Sequence, residues 1–226
     1  MEMQRIVTKW SQADAGQQYQ WAQQLRFNTT LNEDDVQALV SLYREVLKSD
    51  SIVQRVMEES ILTVMLRLCN PECISVLEEV LFADPPRGNS PLAEIVLTLG
   101  GITRCTDSEH GYHVLERCLE HPDVDVRDMA TTAIVRAYKQ NNRPLPARVV
   151  DKLYILLQGD YSRRVRFSAG LALQELGEID MLDAIFWSED LAGWEEDVHW
   201  DIFDHTGETG AFDEGEDIND VGLHKG

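Results

Sequence analysis

Asp123-Val-Asp-Val-Arg-Asp-Met-Ala-Thr-Thr-Ala-Ile-Val-Arg-Ala137 and Arg164-Val-Arg-Phe-Ser-Ala-Gly-Leu-Ala-Leu-Gln-Glu-Leu-Gly177 can be laid over each other. Val126 falls on Val165, Arg127 on Arg166, Ala130 on Ala169, Ala133 on Ala172 and Ile134 on Leu173, each pair 39 residues apart. One period kept through five positions marks an internal repeat. Alanines at i and i+3 let a helix approach its neighbours closely, and larger apolar residues beside them fill the gap. An Asp ahead of the first turn, such as Asp123, caps free backbone N–H groups.

Outward from this stretch the chain parses into helix pairs. Asp14–Phe27 predicts a helix with an aromatic face carrying Tyr19, Trp21 and Phe27, and residues 1–29 are read as an N-terminal cap. Thr30 or Asn32 opens the next helix, with Glu33, Asp34 and Asp35 where the helix dipole favours acids. Val36, Leu39, Val40, Tyr43, Val46 and Leu47 follow at helical spacing. Ile52–Leu68, Glu72–Phe82, Pro91–Leu99, His110–Leu119, Val124–Lys139, Ala147–Leu157 and Arg163–Leu176 complete four pairs over 30–187, with Ser108 as a cap. Gly100-Gly101, Gly159 and Gly177 are expected to end helices. Trp187, Leu191, Trp194, Val198 and Ile202 form an amphipathic stripe, so 188–205 is read as an acidic aromatic C-terminal cap. Residues 206–226 have the composition of a disordered acidic tail.

The Val-Arg-x-x-Ala-x-x-Ala-Leu pattern of these segments resembles HEAT repeats, in particular the short bacterial subset that includes bilin-lyase-type repeats. The likeness is good over Asp123–Gly177 and degenerate before it. It implies an all-α protein, a right-handed α-α superhelix of about four helix pairs with terminal capping helices. It also implies that Arg127 and Arg166 pair with turn aspartates, for which Asp123, Asp125 and Asp160 are available. Such a ladder is expected to be exposed and to set register more than stability.

The net charge of −20 is uneven. Met1–Arg166 holds 23 acidic and 19 basic residues, whereas Phe167 onward holds 17 acidic residues and Lys225 alone. This distribution argues against nucleic acid as a partner and for a basic protein. No run of eighteen apolar residues suggests a membrane span, and the first residues lack the apolar stretch of a secretion signal. Cys69, Cys73, Cys105 and Cys118 are sparse and irregularly spaced. They are expected to be buried thiols without a disulfide, which suggests the cytoplasm.

Catalytic signatures are missing. There is no Gly-rich phosphate loop and no Gly-x-Ser-x-Gly elbow. Cys118 and His121 lack a third, orienting group. His199 and His205 are too far apart for a convincing metal site, and Asp213–Asp220 lacks the ligand alternation of a calcium loop. No His-Glu dipeptide occurs, unlike the HEAT-like iron hydroxylase that modifies a lysine-derived residue. The expectation is a protein with no enzymatic activity, no cofactor and no metal.

A stack of helix pairs offers a long surface lined by second helices, suited to holding another protein. Helical phase puts Glu59, Thr63, Arg67, Thr132, Arg136, Arg163, Phe167, Gly170 and Gln174 on that surface, and the acidic aromatic C-terminal cap adds Trp194, Trp200 and Phe203. Small acidic HEAT-like proteins resemble some bacterial immunity proteins, so the sharpest expectation is occlusion of a basic, nuclease-type toxin. The alternatives are an accessory subunit of a cofactor-handling enzyme such as a bilin lyase, or an adaptor in a larger assembly.

Overall fold

The computed structural model describes residues 3–28, 30–49, 51, 53–84 and 91–180. The chain divides into two units, Met1–Asp190 and Leu191–Gly226, and all described residues belong to the first. Among them are ten α-helices and no strand. The helices are α1 (Met3–Lys9), α2 (Ala15–Phe27), α3 (Val36–Val46), α4 (Gln54–Leu68), α5 (Cys73–Leu81), α6 (Leu92–Thr106), α7 (Glu109–Cys118), α8 (Val124–Gln140), α9 (Ala147–Gly159) and α10 (Arg163–Leu176). None is long and apolar enough to cross a membrane.

Local chemistry sets many of the starts. Asp14 accepts from the Gln17 N–H at 2.8 Å, Ser108 from Gly111 at 3.3 Å, and Asp123 from Asp125 and Val126 at 2.8 and 3.2 Å. Asn32 and Asp35 form a reciprocal capping box ahead of α3. Gly177 closes α10 in the left-handed region, at φ 76°.

The helices alternate between two layers. Odd-numbered α1, α3, α5 and α7 pack each on the next, as do even-numbered α2, α4, α6, α8 and α10. The even layer packs more intimately than the odd one. Between the layers runs one continuous apolar core, which includes Trp10, Leu39, Tyr43, Ile61, Leu77, Leu99, Leu115, Ile134, Leu153 and Leu173.

Several local expectations need correction. Residues 3–28 contain two helices rather than one, and they pack as a pair, α1 on α3 and α2 on α4. The buried positions of α2 are Gln18, Ala22 and Leu25; Trp21 is half-buried against the core, but Tyr19 and Phe27 are 48% and 73% exposed, so the three aromatics do not share one buried face. Gly100 and Gly101 do not end a helix; α6 runs through them to Thr106. They are packing residues: a Cβ on Gly100 would lie 2.8 Å from the Ala133 Cβ, and one on Gly101 would collide with Leu66. Gly159 does end α9 as expected, but as its last residue and without a left-handed φ.

The cysteine expectation also fails in part. Cys69 and Cys105 form a disulfide with Cα atoms 6.1 Å apart. Cys69 caps α4 in the left-handed region at φ 52°, and the extended α6 carries Cys105 alongside it. Had α6 stopped at Gly100, Cys105 would have lain in a loop. Cys73 and Cys118 are buried thiols, as expected. The bonded pair removes the support that cysteine usage lent to a reducing compartment.

Outside the described residues lie the last part of the expected repeat region, 181–187, the C-terminal cap over 188–205 and the acidic tail over 206–226.

Candidate functional site

The two layers expose different chemistry. On the odd layer, ion pairs link successive helices. Arg44 of α3 meets Glu79 of α5 at 2.6 Å. Glu78 of α5 pairs with both His110 and Arg117 of α7, His110 at 2.8 Å. Glu116 of α7 accepts both of its oxygens' bonds from Arg148 Nε of α9 at 3.0 Å, with Lys152 at 3.5 Å; Lys152 also reaches Glu120 at 3.1 Å. Burial alone would push the Glu116 carboxyl up, but the Arg148 hydrogen bonds and the Arg148 and Lys152 charges hold it below its ordinary value.

The even layer is also bridged by salt links, near the helix starts from Arg55 of α4 to Glu94 of α6 and from Arg164 of α10 to Asp125 and Asp128 of α8, and near the helix ends from Lys139 of α8 to Glu175 of α10. Of the large apolar side chains that are exposed, Tyr19 and Phe27 are on α2, Leu66 on α4, Leu97 on α6 and Phe167 on α10. Of the other two, Ile155 lies on odd-numbered α9 and Tyr161 in the turn before α10. Tyr161 is covered on one side by Arg127, whose guanidinium carbon sits 4.9 Å from the ring centre.

Of the residues assigned to this face by helical phase, Thr63, Arg67, Arg136 and Phe167 are exposed. Glu59, Thr132, Arg163 and Gln174 are half-buried, and Gly170 is buried. Glu59 is engaged by Arg55 at 3.2 Å, and Thr63 donates its hydroxyl to the Glu59 carbonyl at 2.8 Å. Arg67 donates to the carbonyls of Arg26 and Asn28, tying α4 to the end of α2. Trp194, Trp200 and Phe203 lie outside the described residues. Sequence phase missed Leu66, Leu97 and Arg104. Ending the second helix of its repeat at Leu99 removed Arg104 from any helix, and no residue of that helix was placed on the face.

The aligned arginines do pair with turn groups, but not at the surface. The Arg127 and Asp160 side chains are only 7% and 4% exposed. Arg127 Nε donates to Asp160 at 2.6 Å and Nη2 at 3.0 Å, while Nη1 donates to the carbonyls of His121 and Pro122 at 2.8 and 2.9 Å. The hydrogen bonds that Arg127 donates to Asp160 raise its pKa further, against burial, so the guanidinium stays charged. Arg166 repeats the geometry one unit on, donating to the carbonyls of Asp160 and Tyr161 at 2.7 and 3.2 Å. The expected ladder is therefore internal, with a corresponding weight in stability.

Cys118 and His121 do not form a reactive pair. Burial pushes the Cys118 thiol up to about 12. His121 spends both ring nitrogens on backbone: Nδ1 accepts from Asp123 N–H at 3.0 Å, and Nε2 lies 2.8 Å from the Leu81 carbonyl. Among the described residues, no three His, Cys, Asp or Glu side chains gather as metal ligands.

Comparison with family models, curated proteins and solved structures finds no match for the chain.

Proposed function

We propose that this chain is a non-catalytic, HEAT-like helical-repeat scaffold that binds another protein on the exposed face of its even-numbered helices. The supporting observation is the asymmetry between layers. Both layers carry ion pairs between helices, but five of the exposed large apolar side chains, Tyr19, Phe27, Leu66, Leu97 and Phe167, lie on α2, α4, α6 and α10, against Ile155 alone on the odd-numbered helices. Scattered apolar residues need no explanation, but their concentration on four of the five helices of one layer fits a protein-binding surface. The alternation of layers and the 39-residue period fit the right-handed superhelix of HEAT proteins, with the more intimately packed even layer on the inside.

An immunity protein against a basic nuclease-type toxin is the more specific form of this proposal. Its charge would come mainly from outside the described fold: residues 1–180 hold 26 acidic and 19 basic residues, while 181–226 hold 14 acidic residues and one basic. A basic partner would then meet the C-terminal region first.

The test is photo-crosslinking in the native host, with the reactive group placed in turn at Leu97, Phe167, Arg44 and Glu79. The expected result is a partner adduct from Leu97 and Phe167 and none from Arg44 or Glu79. Equal adducts from both layers, or none from either, reject the even-layer face.

A further inference from the structure

We infer that the α4–α6–α8 part of this face is a docking site for an acidic amphipathic peptide segment of the partner, with its carboxylates on Arg104 and Arg136 and its apolar side chains on Leu66 and Leu97. The inference rests on the scaffold function proposed above and names the chemistry of the partner segment.

Charge complementarity carries it. Among the described residues from Val36 to Leu176, the other arginines and lysines all have an acceptor or other partner within the fold. Arg44, Lys48, Arg55, Arg117 and Lys139 meet glutamates, and Arg67 meets backbone carbonyls. Arg127, Arg143, Arg148, Lys152, Arg164 and Arg166 are held by acids or carbonyls, and Arg163 also has a partner. Arg104 and Arg136 alone in that range are exposed and meet no acceptor among the described residues. The helix dipole suits Arg104, which lies in the last turn of α6, but Arg136 lies before the last turn of α8.

The two arginines belong to one surface. Gly100 of α6 faces Ala133 of α8, close enough that a Cβ would sit 2.8 Å from the alanine methyl. Arg104 lies four residues after Gly100 and Arg136 three after Ala133, so both stand about one turn beyond the same crossing. Leu66 reaches over from α4 onto Gly101, and Leu97 stands one turn before Gly101 on the same helix. Leu97 and Leu66 are 49% and 40% exposed. Leu97 to Arg104 spans about 10 Å along the axis, the length over which a bound helix repeats its i, i+3/i+4, i+7 anchors. Guanidinium groups are weakly hydrated and present a fork to carboxylates, so they suit such a surface, while a lysine-rich segment meets like charge.

The test uses the full-length protein and fluorescence anisotropy with three labelled peptides of about 18 residues, long enough for several turns of helix. One carries leucines on one helical face flanked by glutamates, the second replaces each Glu by Lys, and the third keeps Glu and replaces each Leu by Ser. The Glu/Leu peptide is expected to bind about tenfold or more tightly than either control, with affinity falling as salt is raised. Arg104→Glu with Arg136→Glu, both at exposed positions, should reverse the preference toward the Lys/Leu peptide without changing the thermal melt. Equal binding of the Glu/Leu and Lys/Leu peptides, or unchanged Glu/Leu binding by the double variant, overturns the inference. Tighter binding of Lys/Leu that Leu97→Ser abolishes overturns the acidic segment and leaves the scaffold function standing. No binding of any peptide, together with no crosslinks from Leu97 or Phe167, rejects both.

Discussion

Arg127 and Asp160 join α8 to the turn between α9 and α10 through two parallel N–H···O bonds of 2.6 and 3.0 Å. Asp160 also accepts the Ser162 N–H at 2.8 Å, so the same carboxylate holds the start of α10. Removing one partner strands a buried charge. Asp160→Ala should therefore lower the unfolding free energy by about 3–5 kcal/mol, and Arg127→Lys should also destabilise because an ammonium cannot fork. A paired apolar replacement, Arg127→Met with Asp160→Leu, should recover part of the loss. Urea denaturation of the three variants checks the order. Wild-type stability for Asp160→Ala would show that the pair carries no weight.

The cysteines make a counting prediction. With burial pushing the Cys73 and Cys118 thiols up to about 11 and about 12, native unreduced protein should take up no alkylating reagent within the described fold. Unfolding without reductant should expose two thiols, and unfolding with reductant four. The loop closed by Cys69 and Cys105 spans 36 residues, so replacing both by Ser should cost about 3–4 kcal/mol on a chain-entropy basis. Four thiols labelled in the unreduced, unfolded chain would mean that the bond does not form.

Three glycines should respond differently to alanine. Gly159→Ala has nothing within 4 Å of the new Cβ and should stabilise α9 by about 0.5 kcal/mol. Gly177→Ala puts a side chain at φ 76° and should cost about 1 kcal/mol. Gly100→Ala must part α6 from α8 and should cost about 1–3 kcal/mol despite the better helix former. Thermal melts of the three variants read the signs directly.

Asp128 and Glu116 pull the pH dependence in opposite directions. Burial raises the Asp128 carboxyl above its ordinary value, against the Ser168 hydrogen bond and the Arg164 charge. The folded state then binds that proton more tightly than the unfolded chain, so its contribution falls as pH rises from about 3.9 through the folded value. Glu116 is lowered, so its contribution is present above about 4.3 and is lost as pH falls. Asp128→Asn should flatten the decline on the alkaline side of pH 4 and be neutral or stabilising at pH 7. Denaturant midpoints at pH 4 and 7 test it; a loss at pH 7 but not at pH 4 would contradict the sign.

Where caps, periodicity and the repeat agreed, the sequence was legible to within a residue or two. Arg163–Leu176 is α10, and Ser108 and Asp123 cap α7 and α8. The failures share a cause: residues whose role is set by a neighbour rather than by their own helix. Gly100 and Gly101 read as a stop because their close contacts with Ala133 and Leu66 are tertiary. Lengthening α6 is what brings Cys105 to Cys69, so the disulfide was missed with it. Met3–Lys9 is too short for its two buried residues, Met3 and Ile6, to show a period. On the candidate face, Leu66 and Leu97 look like core residues in sequence because each sits beside apolar positions that are buried, Met65 and Val96.

The crossing of Gly100 over Ala133 has a consequence for how this protein can diverge. Any methyl added there must be answered by moving whole helices, so the even layer at that point admits only the smallest residues. An odd-layer link such as Arg44 to Glu79 can instead exchange its charges, or vanish, one lineage at a time. Drift should therefore be written on one side of the molecule as swapped signs and on the other as near-silence.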